Sequence, residues 1–382
     1  MVTDFNQIID RKHSDSIKWN FAEEDVLPLW VADTDFAAPQ AVIDQLHDRI
    51  EHGVFGYAKD SQALIAAIIE HLQSHFQWQV QADEIILMPG VVPAVNLACQ
   101  SMAKEGDGIM IHPPVYGPFF QLGKNGGFEL QEVNLQQNED ASYYLDMDDF
   151  KQAIRPNTRV FSLCNPHNPV GRVYTKSELE QMAQICLEHN IIISSDEIHA
   201  DLIFNGYKHI PIASLSPEIS QQTITLMAPS KTFNIAGLDC AFTVIQNEAL
   251  RKQYLQSRKG LFGHVNLLGQ TAALAAYQHG QSWLKELMRY LEGNRDIVAA
   301  FIKDELPAIK MSHVEGTYLA WLDCRNTSFA ENPAEFFLKN ARVMLNDGTF
   351  FGEAGKGFVR LNFGCPTKTL QEGLSRLKLS MQ

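Results

Sequence analysis

Long hydrophobic runs are missing from this 382-residue chain. No stretch reaches the ~18 consecutive apolar residues that a membrane-spanning helix requires. Basic residues are scarce beside acidic ones, 31 Lys and Arg against 45 Asp and Glu, for a net charge of −14. That balance argues against nucleic acid and anionic membrane surfaces as partners. The six cysteines (Cys99, Cys164, Cys186, Cys240, Cys324, Cys365) include no C-x-x-C pair, which argues against a disulfide framework or a zinc site. Also missing are G-x-G-x-x-G after a strand, G-x-x-x-x-G-K-[ST], G-x-S-x-G and H-E-x-x-H. Dinucleotide, P-loop, serine-hydrolase and zinc-protease readings therefore lack their motifs. No repeat or low-complexity segment occurs, and the opening Met1-Val-Thr-Asp-Phe-Asn has neither a basic region nor an apolar core. The expectation is a soluble, cytoplasmic protein without a leader.

What is present is ordinary globular composition, 45% hydrophobic and 20% charged, in a chain long enough for more than one domain. Three parts are predicted: an N-terminal arm joined to a small domain (1–45), a large domain (46–282) and a small C-terminal domain (283–382). From residue 61 the pattern alternates between strand and helix. Strands are predicted at Glu84–Met88, Gly108–Ile111, Arg159–Leu163, Ile191–Ser194, Thr223–Met227 and Cys240–Ile245. Thr175-Lys-Ser-Glu178 reads as a capping box opening a helix to about His189. Helical patterns run from Glu248 to about Asp304, broken near Gly260–Gly263 and Gly280. Gly316–Asp323 and Gly357–Gly364 alternate like half-buried strands. His71 and His75, one turn apart, read as a solvated helix face, and His167 as structural or loosely solvated.

Several short motifs carry chemistry. Lys231 follows the apolar strand Thr223–Met227 inside Ala228-Pro-Ser-Lys-Thr-Phe-Asn-Ile-Ala-Gly-Leu238; a lysine at the end of a core strand is either exposed or used. Pro89-Gly90 joins a strand to a helix, where the unpaired N–H groups of Gly90, Val91 and Val92 would favour a phosphate. Pro113-Pro-Val-Tyr-Gly-Pro holds Tyr116 on a restricted backbone. Asn165-Pro-His-Asn-Pro contains two Asn-Pro steps in five residues, which demand an extended loop. Asp196 ends a buried strand, where doubly wound sheets bind ligands, and Arg360 falls inside an apolar strand, where an internal carboxylate partner would be ordinary.

In this order the motifs resemble the fold-type I pyridoxal-phosphate enzymes, the aspartate-aminotransferase superfamily. Leu29-Trp-Val-Ala-Asp-Thr-Asp-Phe36 and His199 are similar to its MalY/PatB-type cystathionine β-lyase branch. The resemblance implies an α/β fold: a large domain with a mostly parallel, helix-flanked sheet, and a smaller α/β C-terminal domain. It implies pyridoxal 5'-phosphate held as a Schiff base on Lys231, with Lys231 and Tyr116 as the catalytic residues. Tyr116 would stack on the cofactor ring, Asp196 pair with its nitrogen and Asn168 bond its ring oxygen. His199 would stand where aminotransferases commonly carry tyrosine. Ser230 and Gly90–Val92 would hold the phosphate, with Tyr57 reaching it from the other subunit of a homodimer with shared sites. Arg360, Asn168 and Trp30 would bind a small amino-acid substrate. The arginine that many relatives carry eight residues after the lysine is Asp239 here, so the phosphate would lean on the remaining groups.

Three functions follow from the resemblance. The first is a carbon–sulfur β-lyase acting on cystathionine or related cysteine conjugates. The second is an aminotransferase, which shares every core residue. The third is a binding or regulatory protein that keeps the fold and has secondary activity.

Overall fold

The computed structural model describes residues 3–260 and 262–382. Its centre is a seven-stranded sheet of β1 (Ile85–Met88), β2 (Gly108–Ile111), β3 (Glu129–Glu132), β4 (Thr158–Cys164), β5 (Ile192–Asp196), β6 (Thr223–Met227) and β7 (Ala241–Val244). The strands lie in the order β1-β7-β6-β5-β4-β2-β3. Only β7 runs antiparallel, to both β1 and β6. β1, β2, β6 and β7 are buried at every position. This is why they read as continuous apolar runs: helices cover both faces of a parallel sheet.

The flanking helices are α1 (Gln40–Glu51), α2 (Gln62–Phe76), α3 (Val91–Met102), α4 (Lys176–Glu188) and α5 (Leu267–His279). α4 starts at the expected box: the Thr175 hydroxyl accepts from the Glu178 N–H at 3.3 Å, and the Glu178 carboxylate accepts from the Thr175 N–H at 2.8 Å. Such a cap stabilises a helix by ~1 kcal/mol. The long helix α6 (Gln281–Glu305) then leads to a four-stranded antiparallel sheet of β8 (Lys310–Met311), β9 (Leu319–Asp323), β10 (Asn346–Asp347) and β11 (Phe358–Asn362). Helix α7 (Thr367–Ser380) closes the fold.

Two expectations are corrected. The strands predicted as half-buried are buried on both faces. Trp321 and Phe358, stacked at 5.0 Å, join the cluster formed with α4 and β4, whereas Ala320, Leu322, Val359 and Leu361 join the cluster formed with α6 and α7. The small sheet is thus sandwiched, and its alternation marks two apolar environments. His71 is likewise buried, its Nε2 2.9 Å from Asp201 Oδ1 and its ring 4.8 Å from that of Tyr277. His167 is fully buried; Nε2 lies 2.7 Å from the Pro114 carbonyl oxygen and Nδ1 3.3 Å from the Tyr174 hydroxyl. Burial pushes His167 down to about 4, so the neutral ring donates to Pro114 and accepts from Tyr174.

The N-terminal arm is tied to the small domain by the parallel pairing of Leu27–Pro28 with Val343–Met344. Asn362 fixes the strap that follows: its side-chain amide donates to the carbonyls of Val31 and Asp33, and Gly364 accepts from the Asp35 N–H. Asp33 and Asp35 meet Arg11 and Lys18, with Asp35 receiving Arg11 at 2.6 Å and Lys18 at 2.8 Å.

Candidate active site

The C-terminal ends of β4, β5 and β6 and the N-terminus of α3 enclose a cavity of about 410 Å³. Lys231, Asp196, Asn168, Tyr116, His199 and Ser230 all line it, together with Gly90, Val91 and Val92. Sequence reasoning brought these together from five separate segments.

Each is placed by a local cause. Lys231 sits on the short turn Pro229–Thr232 directly after β6, with Pro229 at the first helical position. Its Nζ donates to the Ala32 carbonyl oxygen at 2.6 Å. Burial lowers Lys231 to about 8; the field of Asp33 opposes this and that of Arg360 adds to it. Asp196 is the last residue of β5, and its Oδ1 accepts the Ile198 N–H at 3.1 Å. Burial raises it to about 7, against that hydrogen bond. No ion pair engages Asp196 among the described residues, whereas buried Asp35, Glu197 and Asp201 each meet a basic side chain. Its charge therefore awaits a cationic or N–H partner in the cavity.

Arg360, on β11, is 2% exposed and has no carboxylate partner among the described residues, so the internal ion pair that would have been ordinary for a buried arginine is not formed there. Nη1 donates to Asn168 Oδ1 at 3.0 Å, and Nη2 to the Trp30 carbonyl at 2.8 Å and to Asn346 Oδ1 at 3.0 Å. The Phe351 ring lies 4.9 Å from the guanidinium carbon, and burial lowers Arg360 to about 10. A buried guanidinium held only by neutral acceptors is a receptor for an anion. Since Arg360 occupies the Asn168 oxygen, Asn168 has its amide N–H groups to offer the cavity.

Gly90 precedes α3 at φ 150° and ψ 161°, a conformation open to glycine alone. It aims the first free N–H groups of a twelve-residue helix into the cavity. His199 is 3% exposed with Nδ1 unpartnered; burial pushes it to about 3, so it is a neutral donor or acceptor. Asp239, in the left-handed region at φ 48°, also lines the cavity and adds a carboxylate to its wall.

Three expected residues are not part of the cavity lining: Tyr57, Trp30, and Arg360, which meets it through its bond to Asn168. Tyr57 is fully exposed beside exposed Val54 and Phe55. The Trp30 indole packs on Phe21 at 5.0 Å and donates to the Lys18 carbonyl; what Trp30 gives the site is its own carbonyl to Arg360. Sequence reasoning missed Ala32, Tyr318 and Asn346. Tyr318 donates its hydroxyl to the same Ala32 carbonyl at 3.0 Å. Ala32 acts through its backbone and carries no side-chain signal.

These groups fit the expected cofactor: a primary amine of lowered basicity for an aldehyde, helix N–H groups for a phosphate, Asp196 for a ring N–H, and Tyr116 for a ring face. Another groove, of about 450 Å³, lies between the Glu139–Ala141 turn and α6. It is an open surface of mixed charge and brings together none of the groups named above.

Comparison with known proteins agrees with this geometry. The aminotransferase class I and II family matches residues 24–377. The chain is 40% identical to cystathionine beta-lyase PatB of Bacillus subtilis (strain 168), covering 99% of each. It is 32% identical to protein MalY of Escherichia coli (strain K12), covering 98% of this chain and 97% of that one. Among solved structures, cystalysin from Treponema denticola, which contains pyridoxal 5'-phosphate, superposes with a TM-score of 0.96 at 35% identity over 100% of this chain and 99% of that one.

Proposed function

The chain belongs to the aminotransferase class I and II family and is a pyridoxal-phosphate-dependent lyase, and from that premise we propose that it cleaves the Cβ–S bond of L-cystathionine or a related cysteine S-conjugate. The products are a thiol (homocysteine from cystathionine), pyruvate and ammonia. The observation that carries the reading is one cavity lined by an amine at about 8 and an unpaired carboxylate, with a buried guanidinium bonded to its Asn168 wall and no carboxylate beside that guanidinium among the described residues. The names of the relatives favour carbon–sulfur cleavage over amino transfer.

Bound there, pyridoxal phosphate supplies an aldehyde for the substrate amine and a ring that accepts the electron pair left when a Cα bond breaks. Lys231 would hold the aldehyde. Gly90, Val91, Val92 and Ser230 would hold the phosphate, Tyr116 and Asn168 the ring and its oxygen, and Asp196 the ring nitrogen.

Arg360 takes the substrate α-carboxylate in the two-pronged geometry its fork allows, which fixes Cα relative to Lys231. Free of its bond to the aldehyde, Lys231 at about 8 holds a neutral fraction that is small at pH 7 and grows as the pH rises through 8, and that neutral amine removes the Cα proton as general base. The thiolate leaves Cβ with the C–S electron pair, and the Lys231 ammonium is the nearest acid that can protonate it. Water then converts the remaining fragment to pyruvate and ammonia. Asp196, anionic once it has an N–H partner, keeps that partner's proton in place. The reading extends to a cytoplasmic homodimer in which Tyr57 completes the partner's phosphate site; the exposed Val54, Phe55 and Tyr57 cluster supports it.

The experiment gives the purified enzyme L-cystathionine, and separately an ordinary amino acid with a 2-oxo acid. Pyruvate and free thiol should appear in equal amounts from the first, with slow amino transfer in the second. Rapid amino transfer without thiol release would make it an aminotransferase.

A further inference from the structure

Gly117 has no backbone reason to be glycine. Its φ of −46° and ψ of −39° are open to every residue. What excludes a side chain is Phe350: a Cβ built on Gly117 would lie 2.6–2.9 Å from the outer edge of that ring. The reverse contact exists beside it. A Cβ on Gly352 would meet the tip of the Phe120 ring at 2.6 Å. Between the two contacts the Val115 N–H donates to the Phe351 carbonyl at 3.0 Å. The Tyr116 loop of the large domain and the 348–352 turn of the small domain are therefore interlocked, each contributing one phenylalanine and one glycine.

The interlock places Phe350 beside Tyr116, a residue of the cavity wall. Its ring centroid lies 6.0 Å from that of Tyr116, which lines the cavity, and 5.2 Å from that of Phe351, which lies under Arg360. Phe351 is fully buried, yet Phe350 leaves 45% of its surface open. An exposed aromatic ring held in place by a glycine that the backbone does not require is a built surface. It stands beside the ring that flanks the reacting atoms and one residue from the ring under the carboxylate receptor. We propose that Phe350 is a specificity-determining residue, selecting amino acids whose Cβ sulfur carries an apolar, preferably aromatic, substituent. On this proposal an amino acid anchored at Arg360 with Cα toward Lys231 directs the group beyond Cβ to the Tyr116 side, where aromatic edges and faces attract.

This rests on the lyase reading of the cavity, so its test reads binding and not cleavage. L-homophenylalanine and L-norvaline replace the sulfur of S-phenyl- and S-methyl-cysteine with a methylene and have no leaving group. Their dissociation constants for the cofactor-loaded enzyme are measured by calorimetry. The unsubstituted enzyme should prefer L-homophenylalanine. Phe350→Ala should shrink that preference about five- to tenfold and leave L-norvaline within twofold, and Phe350→Tyr should restore it. Gly117→Ala keeps the ring but pushes its flexible end away, and should shrink the preference as well. An unchanged preference in Phe350→Ala and Gly117→Ala overturns the proposal. So does equal weakening of both ligands, which would make the interlock purely structural. A failed lyase reading would show instead as absent thiol release with the ligand preference intact.

Discussion

The Lys231 Nζ donates a 2.6 Å hydrogen bond to the carbonyl oxygen of Ala32, a residue 199 positions earlier in the chain. The same carbonyl accepts the Tyr318 hydroxyl at 3.0 Å. The amine is thus positioned by a strap of backbone that belongs to the N-terminal arm, and another carbonyl of the strap, that of Trp30, positions the anion receptor Arg360. One loop registers both ends of the substrate against each other.

Burial lowers Lys231 to about 8 from its ordinary 10.5, and this sets a pH dependence for the cofactor-free protein. Between those values the unfolded chain holds more protons than the folded one, so folded stability rises with pH through that window. Below about 8 the cost of burying the ammonium is fully present; toward 10.5 it is gone. Lys231→Met removes the cost. Its urea midpoint should exceed that of the unsubstituted apoprotein most at pH 7, and the gap should close toward pH 10.5. A gap that widens with pH would contradict the assigned ionisation.

Arg360→Lys keeps the charge and loses the planar fork. The variant cannot meet a carboxylate with two parallel N–H groups while also reaching Asn168, Asn346 and the Trp30 carbonyl. KM for L-cystathionine should rise ~10- to 100-fold, with a smaller change in kcat. Steady-state kinetics decides it: a KM within twofold of the original would mean that the carboxylate binds elsewhere.

Asp239 puts a carboxylate on the wall of the same cavity as the α3 N-terminus. Two negative groups facing one cavity repel even where one of them, Asp239, is exposed to water, so Asp239 should weaken the hold on a phosphate dianion. Its φ of 48° is one that asparagine tolerates, which makes Asp239→Asn a clean substitution. Equilibrium dialysis of the apoprotein against pyridoxal phosphate should show several-fold tighter binding. Weaker binding would assign Asp239 a supporting role in the site.

The legible parts of this molecule were those encoded locally. Thr175 and Glu178 cap one helix across three residues, and Gly90 follows its own strand; such features repeat in period and spacing. The Asn165–Pro169 loop was legible because proline leaves the backbone few choices. The arm was not. Arg11 and Lys18 find Asp35 24 and 17 residues away on chain without periodicity, and Ala32 contributes only a carbonyl. Phe350 against Gly117 was hidden for a related reason: glycine in a sequence signals a turn, and here it marks a contact. The two faces of the small sheet were misread because alternation separates two buried environments as readily as it separates core from solvent.

The last prediction tests the strap. Lys18 has a fully buried side chain that donates to Asp35 Oδ2 at 2.8 Å and to the Asp33 carbonyl at 3.3 Å. Asp35 would retain Arg11 at 2.6 Å and the Trp19 indole N–H at 2.8 Å after Lys18→Met. Removing one partner of a buried pair costs ~3–5 kcal/mol when nothing else compensates, and the two surviving donors should keep the loss at or below the low end. The electrostatic sign is definite. The negative field of Asp33 raises Lys231 against its burial, and removing the Lys18 cation leaves that field less compensated. Lys231 should therefore titrate at higher pH. Uptake of pyridoxal phosphate by the apoprotein needs the neutral amine, so the midpoint of its pH–rate profile should move upward in Lys18→Met. Lys12→Met, on the same arm but with a partly exposed side chain near Glu24, should leave the midpoint in place. A downward move in Lys18→Met, or equal moves in both variants, would remove the arm from any electrostatic role at Lys231.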